Sequence, residues 1–217
     1  MINTVFFDFG GVILTSPFDA FDRYERENDL PEGLIRQLNS TNPDDNAWAK
    51  FERSDVSVDE FASLFEAEAA ALGHVVSGHT IVSLLAGDVR PEMVEAVRRI
   101  KQAGLQTACL TNNFVSKSGG GTGIESSSSE RSAQVAEVMA LFDDVVESSQ
   151  IGIRKPERGF YEIALERSNV RPEEVAFLDD LGINLKPARA LGMTTIKVLG
   201  ADQALRDLEA VLGLTLR

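Results

Sequence analysis

A chain of 217 residues can bury a full core and hold one domain, or one domain that carries a smaller inserted one. With 21 Lys and Arg against 34 Asp and Glu, the formal net charge of -13 repels nucleic-acid phosphates and anionic membrane surfaces, and sets both aside as partners. The one cysteine, Cys109, forms no intrachain disulfide and sits inside an apolar run, as a small core residue in a reducing compartment does.

The first residues, Met1-Ile2-Asn3-Thr4, bring no basic flank and no long apolar stretch, so a cytoplasmic protein without signal peptide or membrane span is expected. Val5-Phe6-Phe7 predicts a first strand that stops at Asp8, followed by a Gly10-Gly11 turn and Val12-Ile13-Leu14. From Phe18 to Gly87 the periodicity is helical. Pro31 opens a helix at Glu32-Gly33-Leu34-Ile35, and Pro43-Asp44-Asp45 starts another through Trp48 and Phe51. Ser57-Val58-Asp59-Glu60 reads as a capping signal before Phe61, Leu64 and Phe65. The stretch predicts a small helical bundle whose core is Phe18, Phe21, Tyr24, Trp48, Phe51, Phe61 and Phe65. His74 and His79 lie there without a third ligand nearby, and Arg23 and Arg53 read as solvated surface.

After Asp88 helices and strands alternate. Helices are predicted over 91–103, 130–141, 156–168, 184–191 and 202–212, and strands over 105–110, 144–147, 175–178 and 194–198. Such alternation implies an α/β, Rossmann-like fold with a mainly parallel sheet covered by helices. Residues 116–129, dense in Gly and Ser, predict a surface loop; no GK[ST] follows, so they do not form a Walker-type phosphate loop.

Three of the apolar runs end at a reactive residue: the first at Asp8, Ala108-Cys109-Leu110 at Thr111, and Val175-Ala176-Phe177-Leu178 at Asp179-Asp180. Read as buried parallel strands, they deliver two acidic sites and a hydroxyl to one sheet edge. Lys155 lies between the last two runs. The set suits metal-assisted phosphoryl transfer, because an anionic substrate entering an acidic protein needs local positive charge from a metal, a lysine and backbone N–H groups.

Four ordered segments, Phe7-Asp8-Phe9-Gly10-Gly11-Val12, Leu110-Thr111-Asn112-Asn113, Gly152-Ile153-Arg154-Lys155-Pro156-Glu157 and Phe177-Leu178-Asp179-Asp180-Leu181-Gly182-Ile183-Asn184, resemble the haloacid dehalogenase (HAD) superfamily. The details are most similar to the phosphatase domain at the N-terminus of soluble epoxide hydrolases and to the related domain fused to some acyl-CoA dehydrogenases. The resemblance implies a HAD core at 1–14 and 89–217 and a helical cap at 15–88. It implies hydrolysis of a small phosphorylated molecule, sugar phosphates among the candidates, through an aspartyl-phosphate on Asp8. Mg2+ would be held by Asp8, Asp180 and the Gly10 carbonyl, with Asp179 as a further metal-site carboxylate or a partner behind it. Thr111, Asn112 and Asn113 would bind the phosphate, and Lys155 would neutralise charge on Asp8 and the transferring group. Asn184 stands where many members carry another acid.

One departure bears on activity. Phosphatases of this superfamily usually carry a second aspartate two residues after the nucleophile, acting as general acid and then base, and here that position is Gly10. Such a group contributes ~10²–10⁴ in rate. Either a water or a cap carboxylate replaces it, with Asp19, Asp22 and Glu25 as candidates, or the substrates have good leaving groups, as sugar 1-phosphates do. The alternative is a catalytically weakened protein that binds a phosphorylated ligand without turnover. Dehalogenation by Asp8 is disfavoured by the retained Asp179-Asp180 pair.

Overall fold

Four buried residues, Thr4–Phe7, form strand β1, and their burial on both faces follows from their place in the middle of a sheet. The computed structural model describes residues 1–85, 87–113 and 129–217. The sheet is five-stranded and parallel, in the order β3-β2-β1-β4-β5, where β2 is Gln106–Thr111, β3 Asp144–Glu147, β4 Val175–Asp179 and β5 Thr194–Lys197. Phe7 lies level with Cys109 of β2 and Leu178 of β4, and those strands run on past the end of β1 to Thr111 and Asp179, so the three strands end close together at one edge. This doubly wound order places the reversal of strand order between β1 and β4, where clefts form in such folds.

Helices cover both faces because the strand side chains alternate. Val5 and Phe7 join one cluster with Met93, Val97 and Ile100 of Pro91–Gln102 and with Leu205 and Leu208 of Ala201–Leu212. Phe6 points the other way, to Phe160, Tyr161 and Ala164 of Arg158–Ser168 and Leu185 of Gly182–Leu191. Cys109 is buried as expected of a core thiol, and burial pushes its pKa well above the ordinary value. The helix Ser129–Met139 continues the first layer; the expected loop at 116–129 lies almost wholly outside the described residues.

Between β1 and Pro91 the helices Pro17–Glu27 (α1), Leu34–Ser40 (α2), Ala47–Glu52 (α3), Val58–Ala71 (α4) and Gly78–Leu84 (α5) enclose a third cluster built on Phe21, Trp48, Phe51, Phe61 and Phe65. The ring centroids of Phe51 and Phe61 stack 4.4 Å apart, and Trp48 meets Phe61 edge-on at 5.0 Å. Ser57 and Glu60 cap α4 reciprocally, as their spacing foretold. Later elements differ from expectation at their ends: β4 runs on to Asp179, the helix after Lys155 starts at Arg158, and the next starts at Gly182. A four-residue helix, Ser148–Ile151, follows β3 directly and gave no sequence signal. No helix among the described residues is long and apolar enough to cross a membrane.

Candidate active site

Asp8 is the first residue after β1, and its N–H donates to the Leu178 carbonyl at 2.8 Å, which fixes its backbone to β4. Its Oδ1 accepts from the Phe9 N–H at 2.6 Å and from Lys155 Nζ at 2.7 Å; Oδ2 has no hydrogen-bond partner among the described residues. The Lys155 ammonium, 2% exposed, also reaches Asp179 Oδ2 at 2.9 Å and the Leu110 carbonyl at 2.8 Å, so all three donors of this buried cation are paired. Two carboxylates hold its pKa above the ordinary lysine value despite burial.

Asp179 is wholly buried and surrounded by donors. Its Oδ1 accepts from the Leu181 N–H at 2.8 Å and from Asn184 Nδ2 at 3.1 Å, and its Oδ2 from Lys155 and again from Asn184 at 3.0 Å. Asn184 is thereby occupied in orienting Asp179, and its own carbonyl accepts from the Tyr161 hydroxyl at 2.7 Å. Each Asp179 oxygen thus already accepts two hydrogen bonds.

Asp180 completes the acidic group: Asp8, Asp179 and Asp180 each offer one oxygen within 4.8 Å of the others. The turn after Asp8 makes this proximity possible through Gly11, whose φ of +75° and close approach to Asp180 leave no room for a side chain; a Cβ there would lie 2.2 Å from Asp180 Oδ2. Burial pushes the Asp8 carboxyl well above the usual range, against the pull of Lys155. Burial and then Asp179 push Asp180 up to about 6, with Ser16 Oγ donating to it at 3.2 Å. Crowded carboxylate oxygens that resist ionisation are a donor set that fits a small, hard divalent cation.

The sign of this shift gives a prediction. Asp180 holds its proton more tightly folded than unfolded, so in metal-free protein its ionisation costs stability as pH rises from about 4 to 6, and the full cost persists above that. Asp180→Asn should therefore be more stable than wild type in chelator at pH 7, with the difference growing by about 1–2 kcal/mol between pH 4.5 and 7 after allowance for solvent screening. Paired denaturant melts across that range check it.

The remaining predicted residues divide. Thr111, at the end of β2, lines a cavity of about 590 Å³ together with Asp8, Gly10, Lys155 and Asp180. The Asn112 side chain clamps the Lys155 peptide, accepting from its N–H and donating to its carbonyl, both at 2.9 Å. Asn113, expected at the phosphate, also lines the cavity, but its N–H donates to Ser148 Oγ and its side-chain amide donates to Glu147 and accepts from Ser149, so it braces the short helix after β3. The carboxylates considered as substitutes for the missing acid are also displaced. Glu25 is buried, accepting from the Gly33 and Ile35 N–H groups at 2.7 Å each, and so caps α2. Asp22 faces Arg36 and Asp19 is exposed; none of the three lines the cavity. Arg23 is exposed and Arg53 pairs with Asp55; His79 faces Asp59 on the surface, and neither histidine joins the acidic cluster.

Sequence reasoning missed Glu52, which reaches the cavity from the end of α3 and pairs with Arg154. A signal was available: an acid as the last residue of a predicted helix opposes the macrodipole, so another cation must hold it there. The cavity is walled on the insert side by Phe18, Phe21, Trp48 and Leu85.

Comparison with known proteins places this geometry. The family model for haloacid dehalogenase-like hydrolases matches residues 2–192. The chain is 37% identical over 99% of its length to acyl-CoA dehydrogenase family member 10 of Mus musculus, and 28% identical over 99% to bifunctional epoxide hydrolase 2 of Sus scrofa, but spans 19% and 40% of those proteins. It is 25% identical to a sesquiterpene phosphatase of Aspergillus oryzae, covering 95% of each chain. Among solved structures, a HAD family enzyme from Bacteroides thetaiotaomicron in complex with magnesium and inorganic phosphate shares the fold, with TM-score 0.57, 18% identity, and 91% of this chain and 94% of that one covered.

Proposed function

The chain belongs to the haloacid dehalogenase-like hydrolases, and from that premise we propose that it is a magnesium-dependent phosphatase acting on a small phosphomonoester through an aspartyl-phosphate on Asp8. The observation that carries this reading is the ammonium of Lys155 set between Asp8 and Asp179, with Asp180 beside them, at one wall of a cavity large enough for a small molecule.

Asp8 attacks through Oδ2, since Oδ1 is held by Lys155 and the Phe9 N–H. Asp8, Asp180 and the Gly10 carbonyl would hold the magnesium, which when bound would supply positive charge against which a dianionic phosphate can approach a carboxylate. Lys155, 2.7 Å from Asp8, opposes the effect of burial on the carboxylate and stabilises charge passing to it. The Thr111 hydroxyl and the backbone N–H of Asn112 hold phosphate oxygens, the Asn112 amide being occupied by Lys155. Residues 15–88, which carry helices α1 to α5, act as a cap that excludes water and chooses the substrate.

With glycine at position 10, the leaving group departs with little protein assistance, so esters of more acidic alcohols are favoured. The insert side of the cavity is mostly apolar, and a relative matched over 95% of the chain is named a sesquiterpene phosphatase; both support a leaving group with an apolar body over a sugar. The buried free thiol supports a cytoplasmic setting.

The test is magnesium-dependent phosphate release from a panel of sugar 1-phosphates, sugar 6-phosphates, and prenyl, alkyl and aryl phosphates. Turnover that vanishes with chelator supports the proposal, and the best ester identifies the class. Magnesium binding without release from any ester would move the protein to the second reading, a binder of phosphorylated ligands.

A further inference from the structure

We propose that Glu52 is a positioning residue through which the helical insert sets the placement of Lys155. The role deepens the phosphatase reading and rests on it for its kinetic consequence. Glu52 ends α3, inside the insert, yet its carboxylate meets the sheet side: Arg154 Nη1 donates to Oε2, and Asn112 Nδ2 donates to the same oxygen at 3.3 Å. Its backbone carbonyl accepts from Ser148 Oγ at 2.6 Å, and Arg154 Nη2 crosses to the Pro43 carbonyl of the insert.

What makes these contacts more than a tether is where they end. Arg154 is bonded covalently to Lys155, and Asn112 grips both the N–H and the carbonyl of Lys155. One carboxylate of the insert therefore touches both groups that fix the peptide of the buried lysine, whose ammonium lies 2.7 Å from Asp8. Burial raises the Glu52 pKa and Arg154 opposes the rise, so the pair is mutually dependent: either group alone would be left charged in a half-buried place. Substituting Glu52 should leave Asn112 one anchor short and the Arg154 guanidinium held by the Pro43 carbonyl alone, and the ammonium then loses its registration against the nucleophile.

For catalysis, displacement of a charge by a fraction of an ångström matters more than loss of binding. Glu52→Ala is expected to lower kcat by about 10–100-fold on a small aryl phosphate while KM changes less than about threefold. Arg154→Met should do the same, and the double variant should be no worse than either, because both remove one linkage. Exchange of the pair, Glu52→Arg with Arg154→Glu, should recover part of the loss.

Hydrogen exchange supplies a readout that needs no turnover. The peptide spanning residues 152–157, whose Lys155 N–H donates to Asn112, should exchange about tenfold faster in Glu52→Ala, with the core of α4 unchanged. If wild type releases no phosphate from any ester, the phosphatase reading fails while exchange still decides the positioning role. Unchanged exchange at 152–157, additive losses in the double variant, or a kcat that falls only in step with the folded fraction each overturn it.

Discussion

Asp8→Asn is expected to lower magnesium-dependent phosphate release by about 10⁴-fold or more, with the fold intact. The substitution keeps the shape of the side chain, and an amide oxygen can still accept from the Phe9 N–H and Lys155, the two groups that now orient Oδ1. Lys155 keeps Asp179 as its counter-ion, so no buried cation is left without a carboxylate. Replacing the anion with an amide also removes one of three crowded acids. The loss is then chemical: a neutral amide does not attack phosphorus. Steady-state kcat, beside a thermal melt of the same preparation, separates the two effects. Release above about one per cent of wild type by a folded variant would take the nucleophile's role away from Asp8.

Gly10→Asp is expected to act in the opposite direction, raising kcat on alkyl phosphates by about 10²-fold or more and on aryl phosphates far less. Gains of function by substitution are unusual, and here the backbone permits one. Gly10 has φ -68° and ψ 134°, which any residue adopts, and a Cβ built there meets nothing within 4 Å. Gly11, one residue on, has neither freedom. The carboxylate would enter two residues beyond the nucleophile, where superfamily phosphatases carry their acid, in a cavity that Gly10 already lines. Its benefit should scale with the basicity of the leaving alkoxide, so the slope of log kcat against leaving-group pKa should flatten. An equal change for both ester classes would mean that protonation is not the step the glycine leaves unassisted.

The sheet and its reactive ends were legible because parallel strands buried on both faces must be continuous apolar runs, and each such run here stops at a polar residue: Phe7 before Asp8, Leu110 before Thr111, Leu178 before Asp179. The aromatic core of the insert was equally readable from its helical spacing. The roles of Glu25, Asn113 and Glu52 were not. A carboxylate that caps a neighbouring helix, an asparagine that braces the short helix after a distant strand, and a glutamate that crosses between two clusters depend on partners 8 to 102 positions away. Local pattern constrains which face a side chain takes, and says nothing of which distant donor waits there. Asn184 lay between these cases: its motif placed it beside Asp179, and only the geometry revealed both carboxylate oxygens in its grip.

The aromatic side chains that wall the cavity, Phe18, Phe21 and Trp48, belong to the insert's own hydrophobic cluster, whereas Asp8, Asp179 and Lys155 are seated against the two clusters that clasp the sheet. Sites with few shared neighbours accumulate substitutions nearly independently. Substitutions at Phe18, Phe21 and Trp48 should therefore reshape the cavity at some cost to the insert's own packing, with effects on stability that add to those at Asp8, Asp179 or Lys155 except where Glu52 ties the insert to the lysine.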